Sequence, residues 1–123
     1  MKNIFTILAL TIGFSMNAQQ FWFQGDGNYA IQTVYATASG SYSTAMGYGT
    51  EASGFSSTAM GVYATASGGY STAMGYGPEA SGDYSTAMGS YTDAIGNYST
   101  AMGRDTTASD YGSLVIGQYN SSG

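Results

Sequence analysis

Ala64-Thr65-Ala66-Ser67-Gly68-Gly69-Tyr70-Ser71-Thr72-Ala73-Met74-Gly75 holds two copies of one pattern, x-x-Ala-x-Gly, seven residues apart. Outward from it, glycine recurs at 40, 47, 54, 61, 68, 75, 82, 89, 96, 103 and 117, and fails only at Asp110. Alanine stands two residues before each step from Ala38 to Ala108, and Val115 closes the series. A coiled-coil heptad does not fit, because both fixed positions are tiny and one is glycine, the weakest helix former after proline. Collagen needs glycine at every third residue, which fails at sight. Alternation does fit: in Ser71-Thr72-Ala73-Met74-Gly75, residues 71, 73 and 75 share one face and residues 72 and 74 the other. Each unit reads as a short strand and a two-residue turn.

The residue between alanine and glycine doubles the period. Met46, Met60, Met74, Met88 and Met102 alternate with Ser39, Ser53, Ser67, Ser81, Ile95 and Ser109. Two unlike strands therefore make one coil, and stacked coils make two parallel sheets. A coil of about 14 residues is too small to enclose large side chains, so its inner faces must be Ser or Ala, then Ala, then Gly. The expected architecture is an all-β, flattened parallel β-roll, a β-solenoid with a thin small-residue interior. The inverse arrangement, with methionines inside and alanines outside, leaves the regular Ala/Gly row without a packing reason.

Outward, one sheet shows Thr44, Met46, Thr58, Met60, Thr72, Met74, Thr86, Met88, Thr100 and Met102. A contiguous exposed apolar stripe marks an interaction surface, and a closed cyclic oligomer packed around this face is the expected use. The other sheet shows Thr37, Glu51, Thr65, Glu79, Asp93 and Thr107 and belongs in water. Tyr42, Tyr70, Tyr84 and Tyr98 form a ladder at the turn before the methionine strand, broken by Ser56, and Tyr48, Tyr76 and Phe55 add aromatic area at other turns. Ring stacking between coils explains such a ladder; a carbohydrate or partner surface, with Glu51 and Glu79 nearby, is the functional alternative.

Composition sets the exclusions. Of 123 residues only two are Lys or Arg against seven Asp or Glu, so a nucleic-acid footprint is absent. Without Cys or His there is no disulfide, no thiolate or imidazole metal site and no Ser-His or Cys-His nucleophile. Glu51 and Glu79 lie two coils, about 10 Å, apart, so no close carboxylate pair for glycoside chemistry is expected. Asp105 and Asp110 lack the spacing of a calcium loop. No enzyme activity, cofactor or metal is expected.

Lys2 followed by the apolar run Ile4 to Phe14, with Ala18 before Gln19, reads as a signal peptide over 1–18. Residues 19–33 read as a lead-in and capping segment. There Gly25-Asp26-Gly27 turns the chain, and Phe21, Trp22 and Phe23 cover the end of the stack. The repeats are expected over 34–119, and 120–123 are expected to form a tail with no stalk or membrane anchor.

Alternation of Ala64-Thr65-Ala66-Ser67-Gly68 with Tyr70 to Gly75 resembles the head repeats of trimeric autotransporter adhesins of the YadA type. The resemblance implies a left-handed roll and a homotrimer, with the Thr44/Met46 face and its equivalents at the threefold axis. It also implies an exported module on the outer surface of a bacterium that attaches to extracellular matrix, cells or polysaccharide. The chain itself is not expected to insert into a membrane. Regular Thr ladders on flat solenoid sheets suggest ice binding as the other function.

Overall fold

A computed structural model describes residues 22–123, all of them in strands, turns and connecting segments. The expected signal peptide and Phe21 lie outside the described residues, as do the side chains of Trp22 and Phe23. Coil follows coil with a constant step: Thr44, Thr58, Thr72, Thr86, Thr100 and Leu114 are lateral neighbours in parallel register. That step is the fourteen-residue repeat, and it builds the parallel β-solenoid.

The first sheet stacks β2 (Ile31–Thr33), the leading half of β4 (Thr44–Ala52), β5 (Thr58–Val62), β7 (Thr72–Tyr76), β9 (Thr86–Ser90), β11 (Thr100–Arg104) and β13 (Leu114–Gln118). The second stacks β3 (Tyr35–Ala38), the trailing half of β4, β6 (Thr65–Ala66), β8 (Glu79–Ala80), β10 (Asp93–Ala94), β12 (Thr107–Ala108) and β14 (Ser121–Ser122). Strands of the second sheet are shorter because two successive amides converge on one carbonyl. Ser67 N–H and Gly68 N–H both donate to the Ala80 oxygen, at 3.0 and 3.1 Å, which bends the chain into its turn.

Small residues fill the interior. Ala45, Ala59, Ala73, Ala87 and Ala101 from one sheet and Ala52, Ala66, Ala80, Ala94 and Ala108 from the other are all 0% exposed. The largest fully buried side chains are Thr50, Thr92, Thr106 and Pro78. The alternative with methionine inside is thereby excluded. Ser43 and Ser57 Oγ donate to the carbonyls of Gly40 and Gly54, at 2.7 and 2.8 Å, tying the strand start to the preceding turn. The glycine column is steric: at Gly75 φ is 130°, and a Cβ there would collide with the Gly89 carbonyl of the next coil.

Irregularity gathers at the first rung. β1 (Trp22–Gln24) pairs antiparallel with β2, and residues 25–30 turn between them, as expected of Gly25-Asp26-Gly27. Ile31 pairs with Thr44, thirteen residues on, whereas Thr37 pairs with Glu51, fourteen on, and a register shift lies between. Lead-in residues are thus already laid on the stack. At the other end, Ser121–Ser122 pairs with Thr107–Ala108 and carries the second sheet into the expected tail.

Candidate functional site

Two outward features are regular enough to act on a partner: the threonine and methionine face, and the aromatic turns. On the first sheet Thr44, Met46, Thr58, Met60, Thr72, Met74, Thr86, Met88, Thr100 and Met102 all point away from the alanine interior, and all are half-buried. Each methionine lies directly beside the next, Met46 to Met60 to Met74 to Met88 to Met102. Leu114 and Ile116 extend the row at its last rung, both exposed. From Thr44 to Met102 no charged side chain stands on this face.

Tyrosines occupy the turns at a backbone cost. Tyr42, Tyr70, Tyr84 and Tyr98 hold φ between 57° and 61°, the third position of a four-residue turn closed by bonds such as Ser71 N–H to the Gly68 carbonyl. That position favours glycine, and a left-handed non-glycine residue costs about 1–2 kcal/mol. Stacking of the rings returns a similar amount, about 0.5–1.5 kcal/mol per pair. Tyr70, Tyr84 and Tyr98 lie nearly parallel, with centroids 4.9 Å apart and planes 4–7° from parallel.

The ladder is not broken at Ser56. Phe55, one residue earlier, swings its ring into the gap, 5.6 Å from Tyr42 and 5.4 Å from Tyr70. Tyr29 and Tyr111 extend the same row at its ends. Phe55 therefore belongs to this ladder and not to a separate turn.

A second ladder runs along the other turn edge, and counting by fourteen does not reveal it. Tyr35, Tyr48, Tyr63, Tyr76 and Tyr91 follow one another with centroids 5.4–6.5 Å apart. Their steps alternate between thirteen and fifteen residues, because the ring comes from one or the other of two neighbouring turn positions. Tyr63 and Tyr91 are left-handed, at φ 53° and 52°, whereas Tyr48 and Tyr76 each precede a left-handed glycine, Gly49 or Gly77. A Cβ on Gly49 would stand 2.7 Å from Cδ1 of Tyr63, so the bare glycine makes the seat for the next coil's ring. The row ends at Arg104, whose guanidinium lies 5.8 Å from the Tyr119 ring centre and bonds Asp105 at 3.2 Å.

Carboxylates stand on the second sheet. Glu51 and Glu79 both pair laterally with Thr65, two coils apart as expected. Asp93, however, lies directly beside Glu79. A close carboxylate pair therefore exists, contrary to the expectation drawn from Glu51 and Glu79 alone. Burial first, and then the Glu79 charge, push the Asp93 carboxyl above its ordinary value. Among the described residues no group of three or more His, Cys, Asp or Glu is placed to hold a metal ion, and no helix is long and apolar enough to cross a membrane.

A family model described as YadA head domain repeat (2 copies) matches residues 34–50, 52–77, 79–92 and 94–120. The chain belongs to the YadA head family. Its matched segments run from Val34, within the first rung, to Asn120, and between these leave out residues 51, 78 and 93. No curated protein matches the chain. In this YadA head repeat the Ala and Gly columns form the interior, and the Thr/Met face and aromatic turns are the outward surfaces. YadA-type heads are adhesin-type modules, the class into which this geometry falls.

Proposed function

We propose that the chain is the head of an exported, non-enzymatic adhesin, presented on the outer surface of a bacterium as a homotrimer. The uncharged Thr/Met face carries this reading. Fully burying a methionine contributes roughly 1.5–3 kcal/mol, and these side chains are already half-buried within the roll. Each therefore adds on the order of 1 kcal/mol on assembly, and five in register make a cooperative seam. Three rolls meeting at this face leave the carboxylate sheet and the turns toward solvent, where extracellular matrix, cell-surface or polysaccharide ligands are met. Tyr42, Tyr70, Tyr84 and Tyr98, with Glu51 and Glu79, are the candidate contacts. Three copies of a weak contact also multiply into firm attachment.

The Glu79–Asp93 pair stands on an outward strand face, and among the described residues no third His, Cys, Asp or Glu is grouped with it to hold a metal ion. Ice binding finds no support: a methionine row stands beside the threonine ladder of one sheet, and Glu51, Glu79 and Asp93 interrupt the other. Adhesion of beads carrying the chain to matrix-, cell- and polysaccharide-coated surfaces tests the proposal. Adhesion to at least one surface, lost on Met74→Asp, is the expected result. Beads that adhere to none, or unchanged adhesion by the variant, count against it.

A further inference from the structure

The two turn edges differ in how their tyrosines meet, although on the first edge the Tyr42–Phe55–Tyr70 stretch is also edge-to-face. Along the first edge Tyr70, Tyr84 and Tyr98 are parallel at 4.9 Å, so the rings cover one another's faces and turn edges and hydroxyls outward. Along the second edge the rings meet nearly at right angles: Tyr48 with Tyr63 at 81° and Tyr76 with Tyr91 at 78°. A ring met only by a neighbour's edge keeps a face uncovered. Within these pairs the centroids are 5.6 and 5.4 Å apart, and between them, Tyr63 to Tyr76, 6.5 Å. The widest gap thus separates Tyr48 and Tyr63, with Tyr35 a further 5.5 Å from Tyr48, from the pair Tyr76 and Tyr91, and the Tyr48/Tyr63 and Tyr76/Tyr91 pairs repeat after two coils.

Each pair carries its own carboxylate. Tyr48-Gly49-Thr50-Glu51 and Tyr76-Gly77-Pro78-Glu79 repeat the same pattern, and both glutamates are exposed. Glu51 N–H donates to the carbonyl of Ala64, next after Tyr63, and Glu79 N–H to that of Thr92, next after Tyr91, each at 2.8 Å. Two like units of aromatic pair plus glutamate thus stand two coils, about 10 Å, apart, the second with Asp93 beside its glutamate. All four rings are about half exposed, from 47 to 54%.

We propose that this edge binds an extended β-1,4-linked glycan, one disaccharide per two coils. Such a chain flips every second sugar, so like faces recur once per disaccharide, a spacing comparable to that of the ring pairs. The apolar C–H face of a sugar lies on an aromatic ring, and a carboxylate accepts hydrogen bonds from its hydroxyls. The inference rests on the reading of the roll as an attachment module and names both the ligand and the edge that takes it.

Titration of the purified chain with cellohexaose and chitohexaose, and with maltohexaose as an α-linked control, tests it. Tyr63→Gly/Tyr91→Gly removes two rings at left-handed positions where Gly49 and Gly77 already stand in alternate coils, so the backbone is kept. A thermal melt of each variant verifies its fold, and Tyr63→Phe/Tyr91→Phe retains the rings. Expected are binding of at least one β-linked hexaose, a loss of about tenfold or more in the glycine variant, and near-wild-type affinity in the phenylalanine variant. Phe55→Ala/Tyr111→Ala, on the opposite edge, leaves affinity unchanged. No β-linked binding, equal binding of maltohexaose, or an equal loss from the opposite edge overturns the proposal. So does binding only of a cationic peptide such as oligolysine through Glu51 and Glu79. A chain that adheres to protein-coated surfaces yet ignores β-linked glycans overturns this inference alone and leaves the adhesin reading standing.

Discussion

Ser56 holds φ at 52° without carrying a ring of its own, since Phe55 supplies the aromatic contact at that rung. It bears the backbone strain and receives no stacking in return. Ser56→Gly should therefore stabilise the fold by about 0.5–1 kcal/mol, with relief of the left-handed strain outweighing the extra freedom of glycine in the unfolded chain. Tyr84→Gly relieves the same strain but loses two parallel contacts, to Tyr70 and Tyr98, and should destabilise. Thermal unfolding of the two variants checks the pair. If both rise together, stacking contributes nothing to the turns.

Between elements, the interior and the outward register make separate demands. Ala73→Leu forces extra heavy atoms into a layer where every alanine is fully covered, and overpacking costs about 1–3 kcal/mol or more. Thr65→Leu, outward on β6, should cost far less; equal melting temperatures would contradict the packing. Across β8 and β10, Asp93 faces Glu79 and its carboxyl is raised in the folded state. A raised carboxyl binds its proton more tightly folded than unfolded, so stability falls as pH rises through that value and returns as pH falls. Asp93→Asn should thus stabilise at pH 7 by about 0.5 kcal/mol, allowing for partial exposure and the size of cross-strand charge effects. The gain should vanish by about pH 3, where the aspartate is itself largely neutral. Urea unfolding at both pH values measures it, and an equal gain at both would assign the effect to packing instead of charge.

The alanine interior and the methionine face were legible in the sequence because both obey alternation along a strand and a fixed step between coils. Asp93 beside Glu79 follows from that same step, one coil on, whereas the like residues Glu51 and Glu79 stand two coils apart. The Tyr48 to Tyr91 ladder lay deeper: two adjacent turn positions can aim a ring at one place, and backbone φ decides which one does. Nor could Phe55 be read as the filler of the gap at Ser56, since its ring reaches in from a neighbouring position. The thirteen-residue first rung departs from the repeat and shows only in the register.

At the scale of the whole molecule, a roll with a tiny-residue interior buries little apolar area for its length and leaves its largest side chains outside. In the proposed trimer the uncharged methionine face would add on assembly what the interior lacks, and attachment by three copies would rest on it. Met74→Asp would set three carboxylates together in that seam, where desolvation and mutual repulsion oppose ionisation. The assembly should then fail at neutral pH and partly recover below about pH 5, as the raised carboxyls take up protons. Sedimentation equilibrium at micromolar concentration tests the central claim most directly, in parallel with circular dichroism to confirm the β fold. The expected result is a folded wild-type species of three chain masses and a Met74→Asp species at pH 7 that is largely monomeric. A well-folded wild-type monomer, or a Met74→Asp trimer of unchanged stability, would contradict it.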